Sequence, residues 1–292
     1  MKILVTGSEG NIGSKLVPYL RSKGHDVFRV DQVQRFADDY NVCDVNSASD
    51  LLLIFDIFRP EVVYHLAAMV SRVTCEKSPG ITIETNLLGL NNVIQGCKYY
   101  KSKLIYFSTS EVYGNIGGVL SEDRACEPNN LYGLTKYLGE KIVEYNVQTG
   151  LDAITVRPFM FYDEDETRGD HRSAMIRFCY HLSRGEKIEV HKGSLRSWMH
   201  ISDGVKVLER LLYVKGYHVV NIGSESIIET EIMACMICNK LKINYSDYVI
   251  EKDLPCKMTL EKIPSVKKQF ELTGITPEVD LNTGIDLILS KL

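Results

Sequence analysis

Lys2-Ile-Leu-Val-Thr-Gly7-Ser-Glu-Gly10-Asn-Ile-Gly13 is the stretch whose reading decides the fold. Its apolar and β-branched residues, Ile3–Thr6, predict a buried strand. Three glycines follow at G-x-x-G-x-x-G spacing, and an amphipathic pattern over Ile12–Ser22 predicts a helix directly after them. The rhythm repeats downstream. Further strands are expected at Val27–Val30, Val62–His65, Leu104–Phe107 and Ala153–Val156, with helices at Ala48–Phe58, Ile83–Tyr99 and Leu131–Val147. Such strands suit a sheet buried on both faces. Their alternation with helices implies an α/β fold, a doubly wound parallel sheet with right-handed crossovers.

After Arg157-Pro158 the pattern changes. A polar stretch, Asp163–Arg172, leads to a helix near Ala174–Ser183 and a strand near Lys187–Val190; Val219–Gly223 reads as one more sheet strand. Residues 1–157, with 200–224 rejoining them, are therefore expected to form one domain, and 158–199 with 225–292 a smaller C-terminal lobe. The chain has 292 residues, 45% apolar and 25% charged, with a net charge of −4, which excludes a disordered or fibrous protein. Its basic residues are scattered, and a polyanion such as nucleic acid is not expected as a partner. No apolar run approaches the ~20 residues of a membrane span. Eight dispersed cysteines without a secretory leader suggest reduced thiols and a cytoplasmic protein. Cys235 and Cys238 have CxxC spacing, but they fall in an apolar helical pattern with no second ligand pair, so no metal is expected.

The glycine loop has a chemical use. Gly7, Gly10 and Gly13 permit a tight turn and close backbone approach to a pyrophosphate, whose charge the following helix N-terminus favours. Asp31 ends the second predicted strand, where a carboxylate accepts hydrogen bonds from an adenosine ribose and repels a 2′-phosphate, so NAD is expected over NADP. Arg29 and Arg35 flank this site and, turned inward, would accommodate such a phosphate. Asp44 and Val45 are placed to border the adenine. Tyr132 and Lys136 stand at i and i+4 on one helix face. A phenol with a pKa near ~10 is a poor base, and a fixed cation beside it favours the phenolate. Ser108, Thr109, Ser110 and Glu111 follow the fourth predicted strand, where an open α/β sheet binds its ligands.

These motifs, together with His65-Leu-Ala-Ala68, Ser108-Thr-Ser-Glu-Val-Tyr-Gly114, Arg157-Pro158 and Arg196-Ser-Trp-Met-His-Ile-Ser-Asp203, resemble the extended short-chain dehydrogenases. More narrowly, the chain resembles the NAD-dependent nucleotide-sugar epimerases and dehydratases, over nearly its whole length. The resemblance implies a Rossmann domain that holds NAD with Gly7, Gly10, Asn11, Ile12, Gly13, Asp31, Asp44, Val45, Leu66, Ala67, Ala68, Tyr132 and Lys136. It implies a nucleotide-diphosphate sugar as substrate. Tyr132, as phenolate, would take a proton from a sugar hydroxyl, usually at C4, while NAD accepts the hydride. Thr109 would hydrogen-bond the same hydroxyl, and Lys136 would tune Tyr132 and bind the nicotinamide ribose. Ser110, Asn86, Arg172 and Arg196 are the expected substrate-side residues, Asn86 at a position that supports the active-site helix in relatives. The helices Ile83–Tyr99 and Leu131–Val147 match those that build a homodimer.

Glu111 divides the possible outcomes. A 4-keto sugar has an acidified C5 proton that a carboxylate can remove, and Thr109-Ser-Glu111 is similar to the pattern of GDP-mannose dehydratases and UDP-glucuronate decarboxylases. Equally, Glu111 can cap the next helix. Ser110 stands where TDP-glucose dehydratases carry an Asp, which disfavours that reaction. Met160 replaces the usual diphosphate-holding Asn, and Asp163-Glu164 replaces Gly-Pro, so Arg168, Arg172 and Arg177 become alternative phosphate contacts. His65 is expected to shape the cofactor pocket, and Trp198 to pack. Two other readings stay open: a ketosugar reductase with net hydride transfer, and a non-catalytic cofactor-sensing protein on the same fold.

Overall fold

The computed structural model describes residues 1–166, 173–254 and 259–292. The chain divides into two compact units, one of Met1–Gly114, Cys126–Arg157 and Leu208–Val220, the other of Asn115–Ala125, Pro158–Val207 and Asn221–Leu292. Asn115–Ala125 and residues 200–207 and 221–224, which the sequence reading grouped with the cofactor domain, fall in the second unit. For the first of these the reason is local: Val119–Leu120 pairs in parallel with Glu261–Pro264.

A seven-stranded sheet is built from β1 (Lys2–Thr6), β2 (Asp26–Asp31), β3 (Tyr40–Val42), β4 (Val62–His65), β5 (Lys103–Phe107), β6 (Ala153–Pro158) and β7 (His218–Ile222). The spatial order is 7-6-5-4-1-2-3, and the pairings β1–β2, β1–β4, β2–β3, β4–β5 and β5–β6 are all parallel. This is the doubly wound Rossmann arrangement, with strand order reversing at β1 and β4. All of the strands expected for this sheet are present. β3 was not expected, because three residues after a polar loop carry too little periodicity. Helices α1 (Gly13–Ser22), α2 (Ala48–Phe58), α3 (Gly89–Tyr100) and α4 (Leu131–Gln148) flank the sheet. The apolar faces of α2, α3 and α4 meet it in one cluster that includes Leu4, Val30, Val63 and Leu104 from strands, and Phe55, Val93 and Val143 from helices, while α1 buries Leu16, Val17 and Leu20.

The helix expected over Ile83–Tyr99 is instead three segments: a short α-turn, Pro79–Ile83, a π-turn, Glu84–Leu88, and α3. The wide turn adds a residue to the helical repeat. It presents Asn86 away from the phase that α3 keeps for the core.

In the second unit, Ile227–Glu229, Leu195–His200, Glu261–Pro264 and Val119–Leu120 lie side by side in that order, and Met160–Tyr162 also pairs with Leu195–His200. Ile188–His191 and Val249–Lys252 form a separate parallel pair. The core here gathers Trp198, Phe178, Cys179, Met233, Ile237 and Ile285. The helix Ala174–Ser183 appears where the sequence placed it.

Candidate active site

Parallel strands in this order bring four segments together at their carboxyl ends: Gly7 after β1, Asp31 closing β2, Leu66–Ala68 after β4 and Ser108–Glu111 after β5. An open α/β sheet binds its ligand there, beside the strand reversal.

The glycine loop turns on two positions. Gly7 has φ +72°, and a Cβ there would lie 2.6 Å from Ala67 N; a Cβ on Gly13 would lie 2.5 Å from Gly7 O. Only glycine allows the loop and the β4 turn to approach this closely. The N-terminus of α1 carries no side-chain cap, so its amide dipoles are left to an anion. Ser8 Oγ is buried in the same loop with no hydrogen-bond partner among the described residues. A cradle that a Cβ would fill, an uncapped helix end and an orphaned hydroxyl fit a dinucleotide pyrophosphate. Asp31 Oδ2 accepts from Glu9 N at 2.9 Å and Oδ1 from Gln32 N at 2.7 Å, which fixes the carboxylate at the strand end. Arg29 and Arg35 do not act as phosphate acceptors in this arrangement. Arg29 forks onto Asp39 at 3.0 and 3.1 Å and also reaches Glu9, and Arg35 pairs with Glu9 at 2.5 Å. Both guanidiniums are thus already paired with carboxylates beside Asp31. Val45 is buried, and Asp44 Oδ1 accepts from Asn46 N at 2.9 Å.

Tyr132 and Lys136 lie one turn apart on α4, which Asn130 caps by accepting from Gly133 N at 2.9 Å. Thr109, two residues past β5, accepts from Glu111 N at 3.2 Å, and its hydroxyl acts to lower the Tyr132 phenol. Lys136 is only 2% exposed and sits over the Tyr106 ring, 5.0 Å from its centroid. Burial pushes the Tyr132 phenol up to about 12, against the Thr109 hydrogen bond that pulls it down. Burial likewise pulls the Lys136 ammonium down to about 7, with Cys75 and Glu140 pushing it up. Desolvation therefore outweighs the neighbouring charges in setting both groups. His65 is held neutral, its pKa lowered to about 3 by burial and then by Lys136, and its Nδ1 meets Thr6 Oγ1 at 2.8 Å.

Glu111 is the second residue of a 3₁₀ turn, Ser110–Tyr113, in which Ser110 is buried. Its Oε2 accepts from Asn130 Nδ2 at 3.0 Å and lies 3.9 Å from Arg72 Nε. Asn130 thus joins Glu111 to the helix that bears Tyr132. Sequence reasoning missed it, although Asn at an N-cap position is a readable signal. Asn86 is buried, and its amide is spent on support: Oδ1 accepts from Met69 N at 2.8 Å, and Nδ2 donates to Met69 O at 3.1 Å and Thr135 Oγ1 at 3.0 Å. It braces α4 and the turn after β4.

In the second unit, the Arg196 guanidinium donates to the carbonyls of Leu195 at 2.7 Å, Leu260 at 2.8 Å and Thr259 at 2.6 Å. It ties two strands of its own unit together. Arg168, Arg172 and Cys256 lie outside the described residues, and Arg177 is exposed. Trp198 is 2% exposed in its core cluster. Cys235 is exposed and Cys238 buried along the helix Thr230–Leu241, and both are free thiols.

A Rossmann sheet carrying a glycine cradle, a ribose-side acid, a Thr after β5 and a Tyr/Lys pair on the following helix defines an extended short-chain dehydrogenase. The chain belongs to the NAD dependent epimerase/dehydratase family, whose model matches residues 3–223. It is 27% identical to UDP-glucuronate 4-epimerase 1 of Arabidopsis thaliana over 329 residues, spanning 98% of this chain and 75% of that one. It is 31% identical to a UDP-N-acetyl-alpha-D-glucosaminuronate decarboxylase of Bacillus cytotoxicus over 251 residues, 77% of this chain and 75% of that one. The fold superposes on the UDP-glucose 4-epimerase of Thermotoga maritima with a TM-score of 0.92 and 24% identity, over 100% and 98% of the two chains. The protein is an NAD-dependent enzyme of the nucleotide-sugar epimerase, dehydratase and decarboxylase group. Among the described residues no helix is long and apolar enough to cross a membrane.

Proposed function

We propose that the protein oxidises C4 of a UDP-hexose or UDP-hexuronate transiently and returns the hydride within the same cycle. The observation that carries this reading is Tyr132 and the buried Lys136 one turn apart on α4, with the Thr109 hydroxyl acting on the phenol from the segment after β5. NAD, when bound, supplies the hydride acceptor for C4. Gly7, Gly10, Asn11, Ile12 and Gly13 hold its pyrophosphate, Asp31 the adenosine ribose, Asp44 and Val45 the adenine side, and Leu66–Ala68 line the pocket. Tyr132 takes the O4 proton, Thr109 orients that hydroxyl, and Lys136 holds the ribose and lowers the cost of the phenolate. Ser110 lines the sugar side.

Glu111 removes or returns the C5 proton of the 4-keto sugar. Its place in the 3₁₀ turn and its tether to Asn130 support that role, since a base must be held at fixed distance from the carbon it serves. The two relatives named above, whose substrates are uronic acids, support a UDP-uronate substrate class. Leu88, Leu134, Leu138, Tyr99 and Tyr145 are exposed apolar side chains on the α3 and α4 side, and they support a homodimer through these helices. The free thiols support a reducing cytoplasmic setting.

Incubation with UDP-glucuronate and UDP-glucose in D₂O, followed by NMR, tests the reading. Deuterium is expected at C5 with the wild type and not with E111Q. C4 inversion without exchange would remove Glu111 from the chemistry and leave a 4-epimerase.

A further inference from the structure

Beneath the catalytic pair lies a closed polar network that the proposed chemistry does not use. Arg157, near the end of β6, forks onto Glu140 with Nε to Oε1 at 2.9 Å and Nη2 to Oε2 at 2.7 Å. Its Nη1 donates to the Tyr113 hydroxyl at 2.8 Å, and its guanidinium stacks 4.9 Å from that ring. Ser108 Oγ donates to Glu140 Oε1 as well. Glu140 and Arg157 are each 4% exposed. Replacing such a pair with apolar groups is often neutral or stabilising, so stability alone is a weak reason for a buried ion pair.

Its placement suggests another reason. Ser108 precedes Thr109 and Glu111, and Tyr113 closes the same turn; Glu140 is one turn past Lys136 on α4. The network therefore joins the segment bearing Thr109 and Glu111 to the helix bearing Tyr132 and Lys136. The titratable groups facing Lys136 are Tyr132 and Glu140 from its own helix, Tyr106 from β5, His65 from β4 and Cys75 from the helix Arg72–Lys77. Without cofactor or substrate, His65 is neutral and burial pushes the Tyr132 and Tyr106 phenols and the Cys75 thiol up, so none of them carries a charge there. Glu140 is the one carboxylate among them.

We propose that Glu140 is a positioning residue for the reaction: through Ser108 and Arg157 it ties the segment bearing Thr109 and Glu111 to the helix bearing Tyr132, and it sets a carboxylate one helical turn from the buried Lys136 ammonium. The inference rests on the function proposed above for Tyr132 and Lys136. Its first test does not need turnover.

In protein carrying ¹³Cε-lysine, without cofactor or substrate, the Lys136 resonance is identified by its absence from K136M and titrated. Against a wild-type midpoint of about 7, E140Q is expected to titrate about one pH unit lower. The double variant E140Q/R157Q, which leaves no uncompensated buried cation, is expected to shift the same way and to keep the fold. An unmoved midpoint in a folded variant overturns the proposal, whether or not the wild type acts on a UDP-sugar.

Turnover supplies the second readout. Loss of the ammonium at lower pH moves the alkaline limb of the kcat/KM profile down, so E140Q loses activity at pH 8 and recovers it toward pH 6. A loss equal at every pH marks a merely structural residue and overturns the electrostatic role.

Discussion

The glycine loop and the Thr109/Tyr132/Lys136 cluster are made by opposite means. The loop is backbone: its essential feature is the absence of side chains at Gly7 and Gly13, and it is complete within a dozen consecutive residues. The cluster is side chain: it assembles groups from the ends of β4 and β5, the first turns of α4 and the end of β6, and seals charges beneath them. The loop offers dipoles that cost nothing to keep at neutral pH, whereas the cluster holds an ammonium where desolvation works against it. Binding is thus stored in shape, and reactivity in strained ionisation.

Substitutions can break or sharpen that contrast. Tyr132→Phe, which deletes the proton acceptor and little else, is expected to lower kcat on a UDP-sugar by about 10³-fold while NAD binding stays within a few-fold. Equal losses in both would show that the cluster also carries the binding. Gly13→Ala acts on the other region: its Cβ would lie 2.5 Å from Gly7 O and 2.7 Å from Ser8 Cα. A loss of about 3 kcal/mol in urea unfolding is expected, with NAD retention lost in parallel.

Lys136→Met tests the cost of the buried ammonium. The folded pKa of about 7 lies below the ordinary lysine value of 10.5, so the unfolded chain binds more protons between those limits and wild-type stability rises with pH across that window. The variant should therefore be more stable than wild type by about 4 kcal/mol at pH 7. That advantage should shrink steadily toward pH 10.5; urea midpoints at pH 7, 8.5 and 10 would reveal a constant gap if burial were not its source. The smallest effect belongs to the ribose side. Asp31→Ala is expected to weaken NAD about tenfold by calorimetry without making NADP the better ligand, because Glu9 and Asp39 keep Arg29 and Arg35 occupied. Stronger binding of NADP than NAD would show those arginines can be released.

The same contrast explains what the amino-acid pattern made legible. The glycine spacing, Asp31 and the strand–helix alternation are local, and the sheet order follows once right-handed crossovers are imposed. Tyr132 and Lys136 are legible too, because i and i+4 on a helix determine a shared face. Glu140, Arg157 and Ser108 are separated by 17 and 32 positions, and only the folded sheet makes them partners. Asn130 was readable as a cap, yet its second bond, to Glu111, depends on how the β5 turn lands. Arg196 reads as an anion binder from its motif, while in the fold its donors are met by three carbonyls. Spacing tells which side chains share an element; it does not tell which acceptors reach them first.

The π-turn at Glu84–Leu88 has a consequence for how this helix tolerates length changes. An α-helix advances ~100° per residue, so a one-residue excess acts as a phase shifter between the segments on either side. Deleting a single residue within 84–88 would let the backbone close into uniform α-helix and make the segment locally more regular. It would also swing Asn86 about a quarter turn from Thr135 and Met69 while Val93 and Cys97 kept their seats in the core. Such a shortened protein would gain a better helix and lose the brace on the one that carries Tyr132.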